Sequence, residues 1–188
     1  GKGLLKAGHD VMFSSRAPED SRGREIHQET GTLVGTVAET LAYSEIVAIA
    51  LGADAITGVI EEFAPAWKGK IIIDLNNSIR PMPPQAGSVG QAIAQMTGGR
   101  VVKAFNSIGA EHFQNPVFNG QKATMLVAGD DTQAKSVVMG LAADLGFEPI
   151  DAGGLAVSGL LESMARLWVN LASNAGLGRN IAFKLLKR

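Results

Sequence analysis

Short apolar runs alternate along this chain with stretches in which apolar residues return every three or four positions. Six runs read as strands: VMFS (11–14), IVAIAL (46–51), KIIIDL (70–75), RVVKAF (100–105), ATMLVAG (123–129) and, less regularly, FEPIDA (147–152). Between them, Ile56, Val59, Ile60 and Phe63 share one helical face, and Ala134, Val137, Val138, Leu141 and Leu145 share another. A strand that is apolar on both sides has to be covered on both sides, which is the habit of parallel sheets wrapped by helices. The pattern predicts an α/β fold with a doubly wound, mainly parallel sheet and right-handed crossovers.

The periodicity changes after Gly153-Gly154. Leu160, Met164, Leu167, Trp168, Leu171 and Ala175 form an apolar stripe on a long predicted helix, with Ser163, Arg166, Asn170 and Ser173 mostly opposite. Ile181, Ala182, Leu185 and Leu186 predict a last helix. No linker rich in Pro, Ser or charge sets this segment apart. The expected organisation is a sheet domain over 1–152 with a small helical appendage over 153–188 packed on it. Proline is dense only in IRPMPPQAG (79–87), a long loop expected at the C-terminal end of a strand, where loops are more often functional.

Composition narrows the chemistry. The chain has 188 residues, 46% of them apolar and 19% charged, with a net charge of −1. That suits one domain with a sizeable core and lacks the basic excess of a nucleic-acid surface. With no cysteine, disulfides, zinc thiolate sites and thiol catalysis are excluded, and three scattered histidines argue against a metal site. The apolar stretch 46–60 is interrupted by Asp54 and two glycines and reads as strand, loop and helix, not as a membrane span. No signal-peptide pattern opens the chain, so a cytoplasmic location without a membrane partner is expected.

The strand ends are polar: SSR, LGAD, LNNS, FNSIG and DAGG. Ligands of open parallel sheets collect outside the carboxyl ends of the strands, so several such motifs on one edge point to a nucleotide site, although each alone is ordinary turn chemistry. In dinucleotide-binding folds the second strand usually ends in an acid when the cofactor is NAD, and in small hydroxyl residues with an arginine when it is NADP. Here the run ends Phe13-Ser14-Ser15-Arg16 with no acid before Glu19, and Arg22 and Arg24 follow. A guanidinium offers a planar fork of donors to a phosphate, and serines add short hydrogen bonds. A solvated turn with a surface arginine is the other reading, and the residues alone leave both open. The opening GKGLLKAGHD reads as the end of a helix. The strand and G-x-G-x-x-G loop that begin such folds are expected ahead of it, so the chain as written is expected to be a fragment and not a stable enzyme by itself. Two half-sheets with unpaired backbone groups between them should result.

AGHDVMFSSR, GTVAETLAYSEIVAIAL, VVKAFNSIGAEHF and DAGGL…LESMARLWVNLA…GRNIAFKLL together resemble the family of NADP oxidoreductases dependent on the deazaflavin coenzyme F-420. The same domain type forms the cytosolic part of membrane ferric reductases. The resemblance runs from Gly1 to about Arg188 and is loose at DLNNSIRPMPP, where many members have D-x-T-N-P. It implies a Rossmann-like domain with a small helical C-terminal appendage, and NADP(H) bound at the strand ends. On the matching positions, Ser14, Ser15 and Arg16 are the expected clamp on the 2′-phosphate. Leu51 and Gly52 belong to the loop on the ribose side, and Asn76 and Asn77 approximate the next loop. Ala104, Phe105 and Asn106 lie beside the nicotinamide, where a second redox partner (coenzyme F-420 or a flavin) would stack. The implied reaction is direct hydride transfer, which needs stacked rings more than a general acid or base, and no catalytic side chain is expected.

Two other functions fit the pattern. One is an NADP-binding redox-sensing or regulatory module without turnover. The other is an NADP-dependent reductase of a small imine or hydroxy acid, although only about thirty residues follow Gly154, too few for the large helical domain of those enzymes. The acceptor, the direction of hydride flow and the oligomeric state stay open, and a homo-oligomer is compatible with the apolar C-terminal helices. Among single residues, Lys103 reads as a surface ion pair more than a cofactor contact, His112 as a helix-surface histidine and Trp168 as packing. Glu162 reads as a local cap or pair, Asp151 as a turn residue, and His9 and Asp10 as a helix-to-strand turn.

Overall fold

The computed structural model describes residues 1–77 and 87–188, so the proline-dense loop expected at 79–87 lies, but for Gly87, outside the described residues. The helices are α1 (Lys2–Lys6), α2 (Ser21–Thr30), α3 (Val37–Tyr43), α4 (Ala53–Glu62), α5 (Val89–Thr97), α6 (Thr132–Asp144) and α7 (Ser158–Val169). The strands are β1 (Phe13–Ser14), β2 (Val34–Gly35), β3 (Ile46–Ile49), β4 (Ile71–Asp74), β5 (Arg100–Lys103), β6 (Val117–Phe118), β7 (Gln121–Lys122), β8 (Thr124–Gly129) and β9 (Glu148–Gly153). Each of the first five apolar runs contains a strand, and β9 overlaps the sixth, running one residue past it.

Five strands form the main sheet in the order β3-β4-β5-β8-β9. Its pairs are parallel except β5 with β8. The mainly parallel α/β fold follows from the alternation within the isoleucine run of β4. Ile71 and Ile73 face a core with Val102, Val127, Phe147 and the Ala134, Val138 and Ala142 stripe of α6. Ile72 faces the other core, with Val47, Val101, Ile56 and Ile60 of α4, and Val89 and Ile93 of α5. Full burial of one such side chain contributes about 1.5–3 kcal/mol. A second parallel pair, β1 with β2, stands apart, and among the described residues no backbone ladder joins it to the main sheet.

The apolar runs did not reveal α2, α3 and α5, yet their capping signals are in the sequence. Asp20 caps α2 by accepting from Gly23 N–H, and Gly31 ends it in the left-handed region. Thr36 and Glu39 form a reciprocal capping box on α3. Ser88 caps α5, which ends at left-handed Gly98. The Asn119-Gly120 turn, with φ positive at both residues, closes the β6–β7 hairpin.

Two expectations about the C-terminal segment are corrected. Of the predicted stripe Leu160, Met164, Leu167, Trp168, Leu171 and Ala175, Trp168 does lie on the buried face of α7, but Leu160 and Leu167 are exposed. The helix turns Leu161, Glu162, Ala165 and Trp168 inward. Nor is there a helix at 181–186: α7 runs into a π-helical turn, Asn170–Asn174, and irregular chain follows to Arg188. Gly176 and Gly178 both adopt positive φ, and the polar groups beyond them are taken by other elements. Trp168 Nε1 donates to Ile181 O (2.9 Å), Thr124 N–H donates to Phe183 O (3.0 Å), and Leu185 N–H donates to Thr124 Oγ1 (3.0 Å).

Arg179 completes this strap. It pairs with both carboxylate oxygens of Glu111 (2.6 and 2.9 Å) and lies 5.2 Å over the Trp168 ring. The guanidinium's hydrogen bonds bring the Glu111 carboxyl down from 4.5 to about 2. A depressed carboxyl stabilises the fold above its unfolded pKa, and that contribution disappears as pH falls through the folded one. Thermal unfolding should therefore show Glu111→Gln below wild type at neutral pH, with the gap closing between pH 4.5 and about 2. A gap that is constant across that window would refute the linkage.

Candidate functional site

The carboxyl ends of β1, β3, β4 and β5 carry the residues singled out in the sequence. At the end of β1, Ser15 N–H donates to Gly35 O (2.9 Å) and its hydroxyl accepts from Ala17 N–H (3.2 Å), a local turn that fixes the chain leading to Arg16. Ser14 and Arg16 are exposed. Among the described residues nothing pairs with the Arg16 guanidinium. Asp20, the next acid but one, is engaged as the cap of α2.

At the end of β3, Gly52 is the N-cap of α4, and among the described residues no side chain caps that helix. A Cβ placed on Gly52 would meet nothing within 4 Å, so open space lies before the positive end of a ten-residue helix. Leu51 N–H donates to Asn76 Oδ1 (2.8 Å). Asn76 Nδ2 donates to Ile49 O (3.1 Å) and Asp74 Oδ1 (2.8 Å), so this buried amide ties β3 to β4 as an extra rung beyond their ladder. Its side chain is engaged within the protein. Asn77 is exposed at the rim and exchanges hydrogen bonds with Asn106, donating to Asn106 O and accepting from Asn106 Nδ2, both at 2.8 Å.

At the end of β5, Ala104 is fully buried and Phe105 nearly so. Phe105 has φ of 60°, a left-handed conformation that costs a side-chain-bearing residue about 1–2 kcal/mol. Its N–H donates to Met125 Sδ (3.1 Å), and its ring sits edge-on to Phe113 and Phe147 at 5.9 and 6.3 Å. The turn directs Asn106 across to α7, where Nδ2 donates to Leu161 O (3.0 Å). The Asn106 Oδ1 is buried and accepts nothing from the described residues.

Direct hydrogen bonds thus join Leu51 to Asn76 and Asn77 to Asn106, and the two pairs meet through the neighbouring residues 76 and 77. Ser14, Ser15 and Arg16 belong to the separate β1–β2 pair, and no hydrogen bond among the described residues links them to that set. His112 is tied elsewhere, its Nε2 lying 2.9 Å from Arg179 O and its ring against Phe118. Asp151 accepts from Gly153 N–H as a turn residue does, and it also pairs with Lys135 at 2.9 Å. His9 joins the helix-to-strand turn to α6 through Asp144 (3.0 Å). Trp168 packs in the interior, as expected.

Lys103 and Glu162 require correction. Lys103 does form an ion pair, but a fully buried one: Nζ lies 2.9 Å from Asp74 Oδ2 and 3.4 Å from Glu162 Oε1, and it also donates to Asn76 O. Glu162 is no local cap. It reaches from α7 to Lys103 and accepts from Val89 N–H at the start of α5 (2.9 Å). One signal was available, because Asp74 and Lys103 are the charged residues near the ends of two successive apolar runs, and they are register partners at the ends of β4 and β5.

An exposed unpaired arginine beside serines and an uncapped helix N-terminus suit an anionic nucleotide, and nothing in the described geometry obstructs one. Among the described residues no helix is long and apolar enough to cross a membrane. Residues 1–78 match the family model described as NADP oxidoreductase, coenzyme F420-dependent. The chain is 28% identical over 190 residues to the F420-dependent NADP reductase of Methanocaldococcus jannaschii, a match covering 89% of this chain and 83% of that protein. It is 26% identical over 163 residues to the metalloreductase STEAP3 of Rattus norvegicus, covering 86% of this chain but 32% of the relative. The chain therefore spans about a third of that protein's length. A solved protein of Arthrobacter sp. FB24, provisionally named an F420-dependent NADP reductase, shares the fold. Its TM-score is 0.86 at 23% identity, over 99% of this chain and 92% of that one.

Proposed function

We propose that this chain, whose residues 1–78 match the family model of coenzyme F420-dependent NADP oxidoreductases and which resembles an F420-dependent NADP reductase along most of its length, moves a hydride between NADPH and a deazaflavin or flavin. The unpaired Arg16, beside Ser14 and Ser15 and without an acid at the strand end, carries this reading. Its fork would hold the 2′-phosphate, with the two hydroxyls beside it. Leu51 and Gly52 would border the ribose side, where the N-terminus of α4 favours negative charge. Asn77 and the Ala104-Phe105-Asn106 turn would flank the nicotinamide, and Asn76 would act by fixing that edge, since its own amide is engaged.

Bound NADPH supplies the hydride, and the protein contributes placement and the exclusion of water. No side chain in this set is arranged as a general acid or base, which suits a transfer requiring only two rings at near-attack distance. Fluorescence titration should show NADPH binding at least about tenfold more tightly than NADH, a difference of some 1.4 kcal/mol. Adding a deazaflavin or flavin should then consume NADPH. Equal affinities for the two nucleotides would sink the reading of Arg16. NADPH binding without turnover of any such acceptor would replace the enzyme by a sensing module.

A further inference from the structure

The buried cluster of Lys103, Asp74 and Glu162 is not accounted for by stability, since well-packed apolar residues in place of a buried ion pair are often as stable or more so. Two carboxylates meet one ammonium there, with side-chain exposures of 0% for Lys103, 0% for Asp74 and 5% for Glu162. All three donors of the lysine are engaged, by Asp74, Glu162 and the Asn76 carbonyl. The second negative charge faces the N-terminal end of α5, through the Val89 N–H bond to Glu162. The cluster is satisfied among its own members and lies almost wholly out of solvent.

Its neighbours show what it holds. Lys103 fixes the Asn76 carbonyl, and Asn76 in turn fixes Leu51. Leu161, the residue before Glu162 on α7, holds Asn106 through its carbonyl, and Asn106 holds Asn77. Two consecutive residues of α7 therefore grip both strand-end loops from below, one through an ion pair and one through a backbone oxygen. We infer that Glu162 and Lys103 are positioning residues of the cofactor site, locking the 75–77 and 104–107 turns to α7 so that the C-terminal helix sets where the nicotinamide-side loops lie. The lock itself is a statement about this chain; its meaning for the nicotinamide rests on the function proposed above.

Hydrogen–deuterium exchange on Glu162→Ala tests it. Exchange should rise about tenfold or more in peptides covering 75–77 and 104–107, and stay unchanged at 13–16 and in α6. Glu162→Gln keeps an oxygen for both partners and should restore most of the protection. Glu162→Asp, which retains the charge but falls short by a methylene, should loosen the same two segments and serves if the alanine variant does not fold. Uniform loosening, or none at 75–77 and 104–107, would overturn the lock. Alongside, NADPH affinity should change less than about twofold while the hydride-transfer rate falls about tenfold, the pattern of lost transition-state placement. Failure of the wild-type protein to bind NADPH would refute the proposed function, and the exchange result would still decide the lock.

Discussion

Replacing Lys103 with methionine is expected to lower the unfolding free energy by about 3–5 kcal/mol. The substitution keeps most of the volume, so little of the loss comes from packing. It comes from leaving Asp74 and Glu162 facing each other in a site that solvent does not reach. Asp74 would keep the two donors of Asn76, and Glu162 the N–H of Val89, but neither would retain a counter-charge. A small domain has only about 5–15 kcal/mol to lose, so the variant should be marginal at room temperature. Urea denaturation reads this as a lower midpoint with an unchanged slope. A companion bearing Asp74→Asn and Glu162→Gln together with Lys103→Met should recover a large share, because no buried charge is then unmatched. Loss below about 1 kcal/mol in the single variant would mean that water or a backbone shift relieves the carboxylates.

Arg16→Ala should cost NADPH affinity about tenfold to a hundredfold and leave NADH affinity nearly unchanged. A hydrogen bond to a charged group contributes about 1.5–3 kcal/mol, and each 1.4 kcal/mol is a factor of ten. Arg16 is exposed, so the effect should shrink as salt is raised. Arg16→Glu should go further and reverse the preference, since a carboxylate repels the 2′-phosphate and suits the ribose hydroxyls of NAD. Parallel titrations with both nucleotides decide the matter. A variant that weakens both nucleotides equally would show that Arg16 supports the fold of the turn instead of reading the phosphate.

The sheet was legible because its strands are buried on both faces, and burial of that kind leaves an apolar run that no helix of equal length would need. The parallel direction of most of its strands was legible too, but the one antiparallel pairing was not. Composition does not distinguish the antiparallel neighbour β8 from its parallel companions, and the hairpin at Asn119-Gly120 that precedes it is the local sign of the reversal. On α7 the pattern misled for a physical reason. Its inward face is assembled from Leu161, Glu162, Ala165 and a tryptophan whose N–H finds a partner further along the chain, so Leu160 and Leu167 of the stripe are left outside. Lys103 was misjudged in the same way. A lysine in an apolar run looks like a surface residue until the acid 59 residues away is known to reach it. The strand-end motifs themselves were plain, but that Asn76 serves the sheet and Asn77 the rim depends on which amide meets the end of β3.

The left-handed turn at Phe105 bears on the order in which the molecule assembles. That conformation is uphill for a phenylalanine until Phe113 and Phe147 have closed around its ring, and Phe147 arrives only with the chain between β8 and β9. The turn cannot belong to an early nucleus. Substitutions that weaken its support should speed unfolding and leave the folding rate almost untouched, the kinetic signature of contacts made after the transition state. The edge that carries Asn106 would then be among the last parts of the fold to set and among the first to let go.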